Sequence, residues 1–142
     1  MECKKILLIE DNPKDIELTK RALQKSELLH ELNVVEDGVE ALHYFFGEDG
    51  KGGCANEDLP LVVLLDLKLP RINGFEVLRR MRAHDKTQYI PVVILTSSNE
   101  GADICNCYNL GANSYVRKPV KFSDFTATIE VLSRVVEIPS ST

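Results

Sequence analysis

Long apolar segments are missing from this 142-residue chain. No apolar run approaches the ~20 residues needed to cross a bilayer. The first apolar run, Ile6-Leu7-Leu8-Ile9, is too short for a signal peptide and ends in acids. An excess of positive charge is also missing, because the formal net charge is −5, which argues against binding nucleic acid through the overall field. These absences predict a cytoplasmic protein that binds neither membrane nor nucleic acid.

Cysteine and histidine are few and scattered. The chain has three histidines that lie far apart and four cysteines without CxxC spacing, namely Cys3, Cys54, Cys105 and Cys107. A zinc site or a dithiol redox site is therefore not expected, and the thiols should be reduced and mostly buried. No GxxxxGK[ST] phosphate-binding loop is present either.

The most informative stretch runs from Leu61 to Pro70, where five apolar residues lead directly into Asp66. A short apolar run bounded by turn-forming residues predicts a strand that is buried on both faces, as in a parallel sheet covered by helices. A carboxylate at the end of such a strand needs a cation or hydrogen-bond donors to offset its desolvation. Asp66 is therefore a candidate functional residue, and the alternative is that it caps the next helix.

Four more short apolar runs alternate with helical patterns along the chain. Five strands alternating with five helices predict a doubly wound α/β fold with a five-stranded parallel sheet, flavodoxin-like in its strand order 2-1-3-4-5. We expect one domain over residues 1–142, with a core at 4–137, a long surface loop at 47–60 and a short tail at 138–142. The last helix is predicted from apolar residues at steps of three and four: Phe122, Phe125, Ile129, Leu132 and Val136.

Polar residues stand at the ends of four predicted strands: Glu10 and Asp11, Asp66, Thr96, and Lys118. Ligands of open parallel sheets bind at the carboxyl ends of the strands, so these side chains are expected to share one pocket. Three neighbouring carboxylates repel one another, and Mg²⁺ is the cation that best relieves this repulsion while leaving sites for phosphate oxygens. The pocket therefore predicts phosphoryl transfer to an aspartate, and the alternative is a structural divalent site without chemistry.

The chain resembles the receiver domains of two-component response regulators over essentially its whole length. The resemblance depends on four motifs: Ile9-Glu10-Asp11-Asn12, Leu65-Asp66-Leu67-x-Leu69-Pro70-x-x-Asn73-Gly74, Leu95-Thr96-Ser97, and Gly111-Ala112-Asn113-Ser114-Tyr115-Val116-x-Lys118-Pro119-Val120. It implies that a sensor histidine kinase phosphorylates Asp66, and that Glu10, Asp11, Asp66 and the backbone carbonyl of Lys68 bind Mg²⁺.

The resemblance also implies how the phosphorylated state is sensed. Thr96 and Lys118 would bind the phosphoryl group, and Tyr115 would be the aromatic switch residue that responds to a movement of Thr96. The Lys118–Pro119 peptide bond is expected to be cis. Signalling would then follow from a conformational change that alters binding between proteins.

More narrowly, the chain is similar to the small regulators that are paired with bacterial phytochrome-type kinases. The similar features are the long loop before the third strand, the run from Tyr108 to Tyr115, and the segment from Pro119 to Phe125. Lys68 and Ser98 stand at positions that vary with the lifetime of the acyl phosphate in that family. We also expect a homodimer through the fourth helix, fifth strand and last helix, because Tyr108, Phe122 and Phe125 leave apolar surface there.

Two other functions remain open at this stage. A phosphatase of the haloacid-dehalogenase kind would also use an aspartate nucleophile, but it needs a second aspartate two residues later, where Lys68 stands. A pseudo-receiver that acts as a scaffold without phosphorylation would be expected to lack some of the site residues. We therefore expect a phosphoacceptor signalling protein that assists only its own phosphorylation and dephosphorylation.

Overall fold

The computed structural model describes residues 4–25, 30–47, 53, 59–97 and 101–118. These residues form five strands and four helices in strict alternation. In chain order the elements are β1 (Lys4–Ile9), α1 (Pro13–Lys25), β2 (His30–Val35), α2 (Gly38–Phe46), β3 (Val62–Asp66), α3 (Gly74–Ala83), β4 (Val92–Thr96), α4 (Gly101–Asn109) and β5 (Ser114–Arg117).

All five strands are parallel and lie in the order β2-β1-β3-β4-β5. This order confirms the predicted doubly wound, flavodoxin-like sheet. Every residue of β3 and β4 is buried, as expected for central strands covered on both faces. The sheet therefore directs the carboxyl ends of β1, β3, β4 and β5 to one edge, which we call the carboxyl edge.

The hydrophobic core lies on both faces of this sheet. Successive residues of β1 point to opposite faces, so that Leu7 and Ile9 pack in one cluster and Ile6 and Leu8 in the other. The first cluster includes apolar residues of α2 and α3, such as Phe45 and Val77, and the second includes residues of α1. Two packed faces hold the strands, and with them the side chains at the carboxyl edge.

Three helices begin at the polar residues that local sequence rules favour as caps. The Asn12 side chain accepts a hydrogen bond from the Lys14 amide at 2.9 Å at the start of α1. Asp37 and Asn73 cap α2 and α3 in the same way. Asn73 thus fills the role that was the alternative for Asp66, so Asp66 is not the cap of α3.

The edge strand β2 is longer than its sequence pattern predicts. The apolar pattern predicts a strand over only four residues, from Leu32 to Val35, whereas the strand in the structure begins at His30 and pairs with all six residues of β1. The added residues are not apolar, and Glu31 is exposed. Pairing with β1 therefore determines where β2 begins, because an edge strand does not need a continuous apolar face.

Burial of the cysteines follows the prediction only in part. Cys107 is buried on α4, whereas Cys105 is exposed on the same helix. The two residues are two positions apart and therefore face different sides of a helix. The expectation of buried thiols is therefore wrong for Cys105.

Several predictions fall on residues outside the described part of the chain. They are the last helix, the cis bond at Pro119, the position of Ser98, and most of the 47–60 loop. The domain boundaries at 1–142 and 4–137 depend on the same residues and stay predictions. Among the helices that the structure does describe, none is long and apolar enough to span a bilayer.

Candidate functional site

Four polar side chains stand where neighbouring strands end at the carboxyl edge. Glu10 follows β1, Asp66 is the last residue of β3, Thr96 is the last residue of β4, and Lys118 follows β5. Glu10, Asp66 and Thr96 are buried, although all three are polar. Because these strands are adjacent in the sheet, the fold brings the four residues to one place, as the strand ends predict.

Three carboxylates form an acidic cluster at this edge: Glu10, Asp11 and Asp66. One carboxylate oxygen from each lies within 4.8 Å of the others. Burial raises the pKa of the Glu10 carboxyl, the neighbouring Asp66 raises it further, and Lys118 opposes both. The cluster therefore holds like charges that lack a full counter-charge, which is an arrangement suited to a hard divalent cation.

The Lys118 ammonium contacts two members of this cluster and one further acid. Its Nζ lies 2.6 Å from Glu10 Oε1 and 3.2 Å from Asp66 Oδ2. It also donates a hydrogen bond to Asp15 Oδ2 at 3.1 Å. Burial alone would lower the pKa of Lys118, but these carboxylates raise it above its usual value. The lysine therefore stays charged and supplies the positive charge that the carboxylates face.

The backbone after Asp66 holds its carboxylate in place. The Lys68 amide donates a hydrogen bond to Asp66 Oδ1 at 3.1 Å, whereas Oδ2 faces Lys118. Gly74 starts α3 directly against the Asp66 carbonyl, where a Cβ atom would collide with that backbone. The absence of a side chain at Gly74 therefore lets the loop approach Asp66 closely. The Asn73-Gly74 pair in the sequence indicates a turn but does not indicate this close approach.

Thr96 and Tyr115 occupy neighbouring strands but different environments. Thr96 is buried, and its carbonyl accepts a hydrogen bond from the Lys118 amide at 2.8 Å. Tyr115 is 40% exposed and contacts Tyr108 of α4 edge-on, with ring centroids 6.3 Å apart. The structure thus shows Tyr115 packed outward against α4.

Asp15 is the residue of this site that sequence reasoning missed. An acid in the first turn of a helix is commonly explained by the helix dipole, so Asp15 gave no separate signal. One indication was available, because α1 begins at the carboxyl edge and its first turn therefore faces the strand ends. The contact itself joins residues 103 positions apart and depends on the folded sheet.

The fold and the site together define a class of protein: a doubly wound α/β domain with an acidic cluster and a lysine at its carboxyl edge. The family model described as response regulator receiver domain matches residues 6–130. This chain therefore belongs to the response regulator receiver domain family. Membership identifies it as a phosphoacceptor signalling domain of the two-component type.

Curated relatives in archaea and cyanobacteria are similar over most of their length. The probable methanogenesis regulatory protein FilR2 of Methanothrix harundinacea is 38% identical over 125 residues, which are 88% of this chain and 78% of that protein. The response regulator Rcp1 of Synechocystis is 34% identical over 127 residues, which are 89% of this chain and 84% of that protein.

Solved structures give the same family. The bacteriophytochrome response regulator RtBRR is 47% identical with a TM-score of 0.80, covering 92% of this chain and 78% of that one. The phosphorylated cyanobacterial phytochrome response regulator RcpA is 36% identical with a TM-score of 0.74, covering 96% and 94%. The Mn²⁺-bound form of Rcp1 is 32% identical with a TM-score of 0.73, covering 91% of both chains.

Proposed function

We propose that Asp66 is the phosphoacceptor and that a sensor histidine kinase supplies the phosphoryl group. The observation that carries this proposal is the position of Asp66, which ends a buried strand within the acidic cluster and has its Oδ2 3.2 Å from the Lys118 ammonium. An Asp66 carboxylate oxygen would attack phosphorus and form a P–O bond. The P–N bond of the kinase phosphohistidine would break, and its imidazole nitrogen would keep the electron pair.

Glu10, Asp11 and Asp66, together with the backbone carbonyl of Lys68, would hold Mg²⁺ in this proposal. The residues fit the ion, because three carboxylate oxygens within 4.8 Å of one another form a hard-oxygen donor set, and because the neighbouring Asp66 disfavours the charged form of the buried Glu10. When bound, Mg²⁺ supplies charge neutralisation and ligand positions for phosphate oxygens. Rcp1, a relative of this chain, has been solved in a Mn²⁺-bound form, which supports binding of a divalent ion.

Lys118 and Thr96 would bind the phosphoryl group on Asp66, and Tyr115 would report its presence. A phosphoryl group adds charge and acceptor oxygens next to the buried end of β4. Movement of the Thr96 hydroxyl towards those oxygens would leave space that Tyr115 could fill by rotating inward from its exposed position against Tyr108. Thr96→Ala should therefore accept phosphate and yet lose most of the phosphorylation-dependent change in binding.

The partner kinase in this proposal is of the phytochrome type, and the protein acts in the cytoplasm. The support is the likeness to RtBRR and RcpA, which are response regulators of bacterial and cyanobacterial phytochromes. Rates of phosphoryl transfer from a panel of purified, phosphorylated histidine kinases would test this assignment. A kinase without a phytochrome sensor that transfers phosphate faster than every phytochrome-type kinase would contradict it.

We also propose that the chain forms a homodimer through α4, β5 and the predicted last helix. Tyr108 on α4 and Tyr115 on β5 are 45% and 40% exposed, so two adjacent aromatic rings lie on one surface. Phe122 and Phe125 lie outside the described residues, so their position on that surface stays a prediction. Sedimentation should show a dimer in the phosphorylated protein, and a monomer at high micromolar concentration in both states would contradict it.

The central experiment is incubation with acetyl phosphate and Mg²⁺, followed by mass spectrometry of the intact protein. The parent should gain one phosphate, and Asp66→Asn should gain none. Asp37→Asn is the matched control, because Asp37 lies at the same edge but caps α2. Stoichiometric labelling of Asp66→Asn would contradict the proposal.

Phosphatase activity on other substrates is not expected, because Lys68 contributes its backbone amide to Asp66 at the position where a haloacid-dehalogenase phosphatase needs an acid. The proposed activity is limited to the protein's own phosphorylation and dephosphorylation. Rapid multiple turnover of a phosphomonoester would contradict this and favour the phosphatase alternative. Failure of the parent to gain phosphate would favour a pseudo-receiver.

A further inference from the structure

Asp15 contributes a fourth carboxylate to the carboxyl edge, outside the acidic cluster. It lies in the first turn of α1, and its Oδ2 accepts a hydrogen bond from Lys118 Nζ at 3.1 Å. Its oxygens are not among those that lie within 4.8 Å of one another in the cluster of Glu10, Asp11 and Asp66. Asp15 therefore contacts the lysine without belonging to the group of oxygens that could hold a cation.

The position of Asp15 is fixed by the start of its helix. The Asn12 side chain accepts hydrogen bonds from the amides of Lys14 and Asp15, at 2.9 Å and 3.4 Å, and so defines the first turn. The contact with Lys118 is also partly shielded from water, since the two side chains are only 24% and 13% exposed. A shielded ion pair between fixed groups is stronger than a typical pair on the surface.

Lys118 needs such a partner because its other two partners have a second task. An ammonium has three N–H donors, and here three carboxylates surround it. Of the three, Glu10 and Asp66 belong to the acidic cluster, and Asp66 would also carry the phosphoryl group. Among the carboxylates that contact Lys118 in the described part of the chain, Asp15 alone would neither bind the cation nor carry the phosphoryl group.

We propose that Asp15 is a positioning residue that holds the Lys118 ammonium beside Asp66 while Glu10 and Asp66 bind the cation and the phosphoryl group. Without Asp15, the ammonium would move towards the buried Glu10, which it already approaches to 2.6 Å. There it would compete with the cation and would lie farther from the incoming phosphoryl oxygens. This inference rests on the function proposed above and adds a residue to it.

A double-mutant cycle tests the inference with the full chain and acetyl phosphate. The variants are Asp15→Asn, Lys118→Ala and the two combined. Glu17→Gln is the matched control, because it removes the same charge from the same helix while Glu17 is 58% exposed and pairs with Arg21. Thermal unfolding of each variant confirms that it folds. At saturating Mg²⁺, Asp15→Asn should lower the initial rate of phosphorylation about fivefold, and Glu17→Gln should change it less than about 1.5-fold.

The cycle also distinguishes positioning of Lys118 from a general electrostatic or structural effect. In the Lys118→Ala background, Asp15→Asn should have no more effect than Glu17→Gln has in the parent. Provided that the parent is phosphorylated, the inference is overturned if Asp15→Asn is phosphorylated as fast as Glu17→Gln, or if Asp15→Asn lowers the rate equally with and without Lys118. In the second case Asp15 would act through the helix dipole or the overall charge.

Mg²⁺ titration without a phosphodonor provides a readout that does not depend on phosphorylation. Asp15→Asn should weaken Mg²⁺ binding more when Lys118 is present than when it is alanine, because the released ammonium competes for Glu10 and Asp66. If the parent gains no phosphate but this coupling is found, the proposed function fails and the role of Asp15 stands. If the parent is phosphorylated on Asp66 and the coupling in the phosphorylation rate is absent, the role of Asp15 fails and the proposed function stands.

Discussion

Two partly buried cations, Lys118 and Arg82, lie at opposite edges of the sheet and have different kinds of partner. Lys118, at the carboxyl edge, is surrounded by three carboxylates. The amino ends of β4 and β5 lie at the other edge of the sheet, which we call the amino edge. Arg82, at the end of α3, donates hydrogen bonds to neutral oxygens at this edge. These acceptors are Gly111 O at 2.9 Å, Ile90 O at 2.8 Å, Gln88 O at 3.1 Å, Thr87 O at 3.4 Å and Asn113 Oδ1 at 3.0 Å.

The two environments have opposite effects on the cations. Burial lowers the pKa of Arg82, because its partners are neutral and offer no counter-charge. The carboxylates around Lys118 raise the pKa of that residue despite its burial. Arg82 gains directed hydrogen bonds that join two loops, whereas Lys118 gains charge partners that a metal ion or a phosphoryl group could share. The amino edge is therefore held by fixed hydrogen bonds, whereas the proposed function requires the carboxylates at the carboxyl edge to exchange ligands.

The largest effect that tests this comparison is expected for Arg82→Ala. Removing the guanidinium leaves several carbonyl oxygens without donors and separates the loop before β4 from the loop before β5. We expect the free energy of unfolding to fall by about 3 kcal/mol or more, as measured by urea denaturation. Arg82→Lys keeps the charge but loses the forked geometry, so it should recover less than half of this loss.

Mg²⁺ affinity of the folded Arg82 variants should equal that of the parent, since Arg82 lies at the other edge of the sheet. A fall in unfolding free energy below about 1 kcal/mol would show that Arg82 does not join the loops. A large loss of Mg²⁺ affinity in the folded variants would show that the two edges are not separate in function.

The same contrast explains how far sequence predicts this molecule. The sheet order and the convergence of Glu10, Asp11, Asp66 and Lys118 could be predicted, because both follow from buried strands and from what stands at their ends. These signals are local, and a parallel sheet converts them into a site. The first residues of β2 were predicted less well, since pairing with β1 determines where this strand begins.

The partners of Arg82 and Asp15 could not be predicted, because their contacts are not local. Arg82 contacts Gly111 and Asn113, which are 29 and 31 residues away in the chain. Four of its five acceptor atoms are backbone carbonyl oxygens. Carbonyl oxygens exist at every residue, so no sequence pattern indicates which of them a guanidinium will contact. Asp15 has an ordinary explanation as an acid in the first turn of a helix, which conceals its second role.

A smaller effect is expected when the other cation is removed. In Lys118→Ala the carboxylates of Glu10, Asp15 and Asp66 lose their shared positive charge. With a chelator present, the free energy of unfolding should fall by roughly 2 kcal/mol, because buried like charges are left uncompensated. Saturating Mg²⁺ should restore most of this loss, because a ligand that binds only the folded state stabilises it, by an amount that grows with the logarithm of the ligand concentration divided by its dissociation constant.

Unfolding measured with chelator and with Mg²⁺, in the parent and in Lys118→Ala, checks this prediction. The variant should gain more stability from Mg²⁺ than the parent does, whereas Arg82→Ala should gain the same amount as the parent. Equal gains in the parent and in Lys118→Ala would mean that the lysine and the metal do not share the same carboxylates.

The smallest effect is expected for Asp37, an acid at the carboxyl edge that has a structural partner of its own. Its Oδ1 accepts a hydrogen bond from the Glu40 amide at 2.8 Å, and its Oδ2 lies 3.4 Å from Arg71 Nη1. Asp37→Ala removes the cap of α2 and should cost about 1 kcal/mol of unfolding free energy at pH 7. Asp37→Asn keeps a capping oxygen and should cost less.

The pH dependence separates the two contributions of Asp37. The hydrogen bond from the Glu40 amide, together with Arg71, lowers the pKa of Asp37 in the folded protein. A lowered folded-state pKa stabilises the protein fully above the unfolded value of about 3.9, and this stability is lost as the pH falls through the folded value. The advantage of the parent over Asp37→Asn should therefore be constant near neutral pH and should vanish in acid, whereas both should keep an advantage over Asp37→Ala. Mg²⁺ affinity should be the same in all three proteins, and a loss of affinity in Asp37→Asn would place Asp37 among the groups that bind the cation.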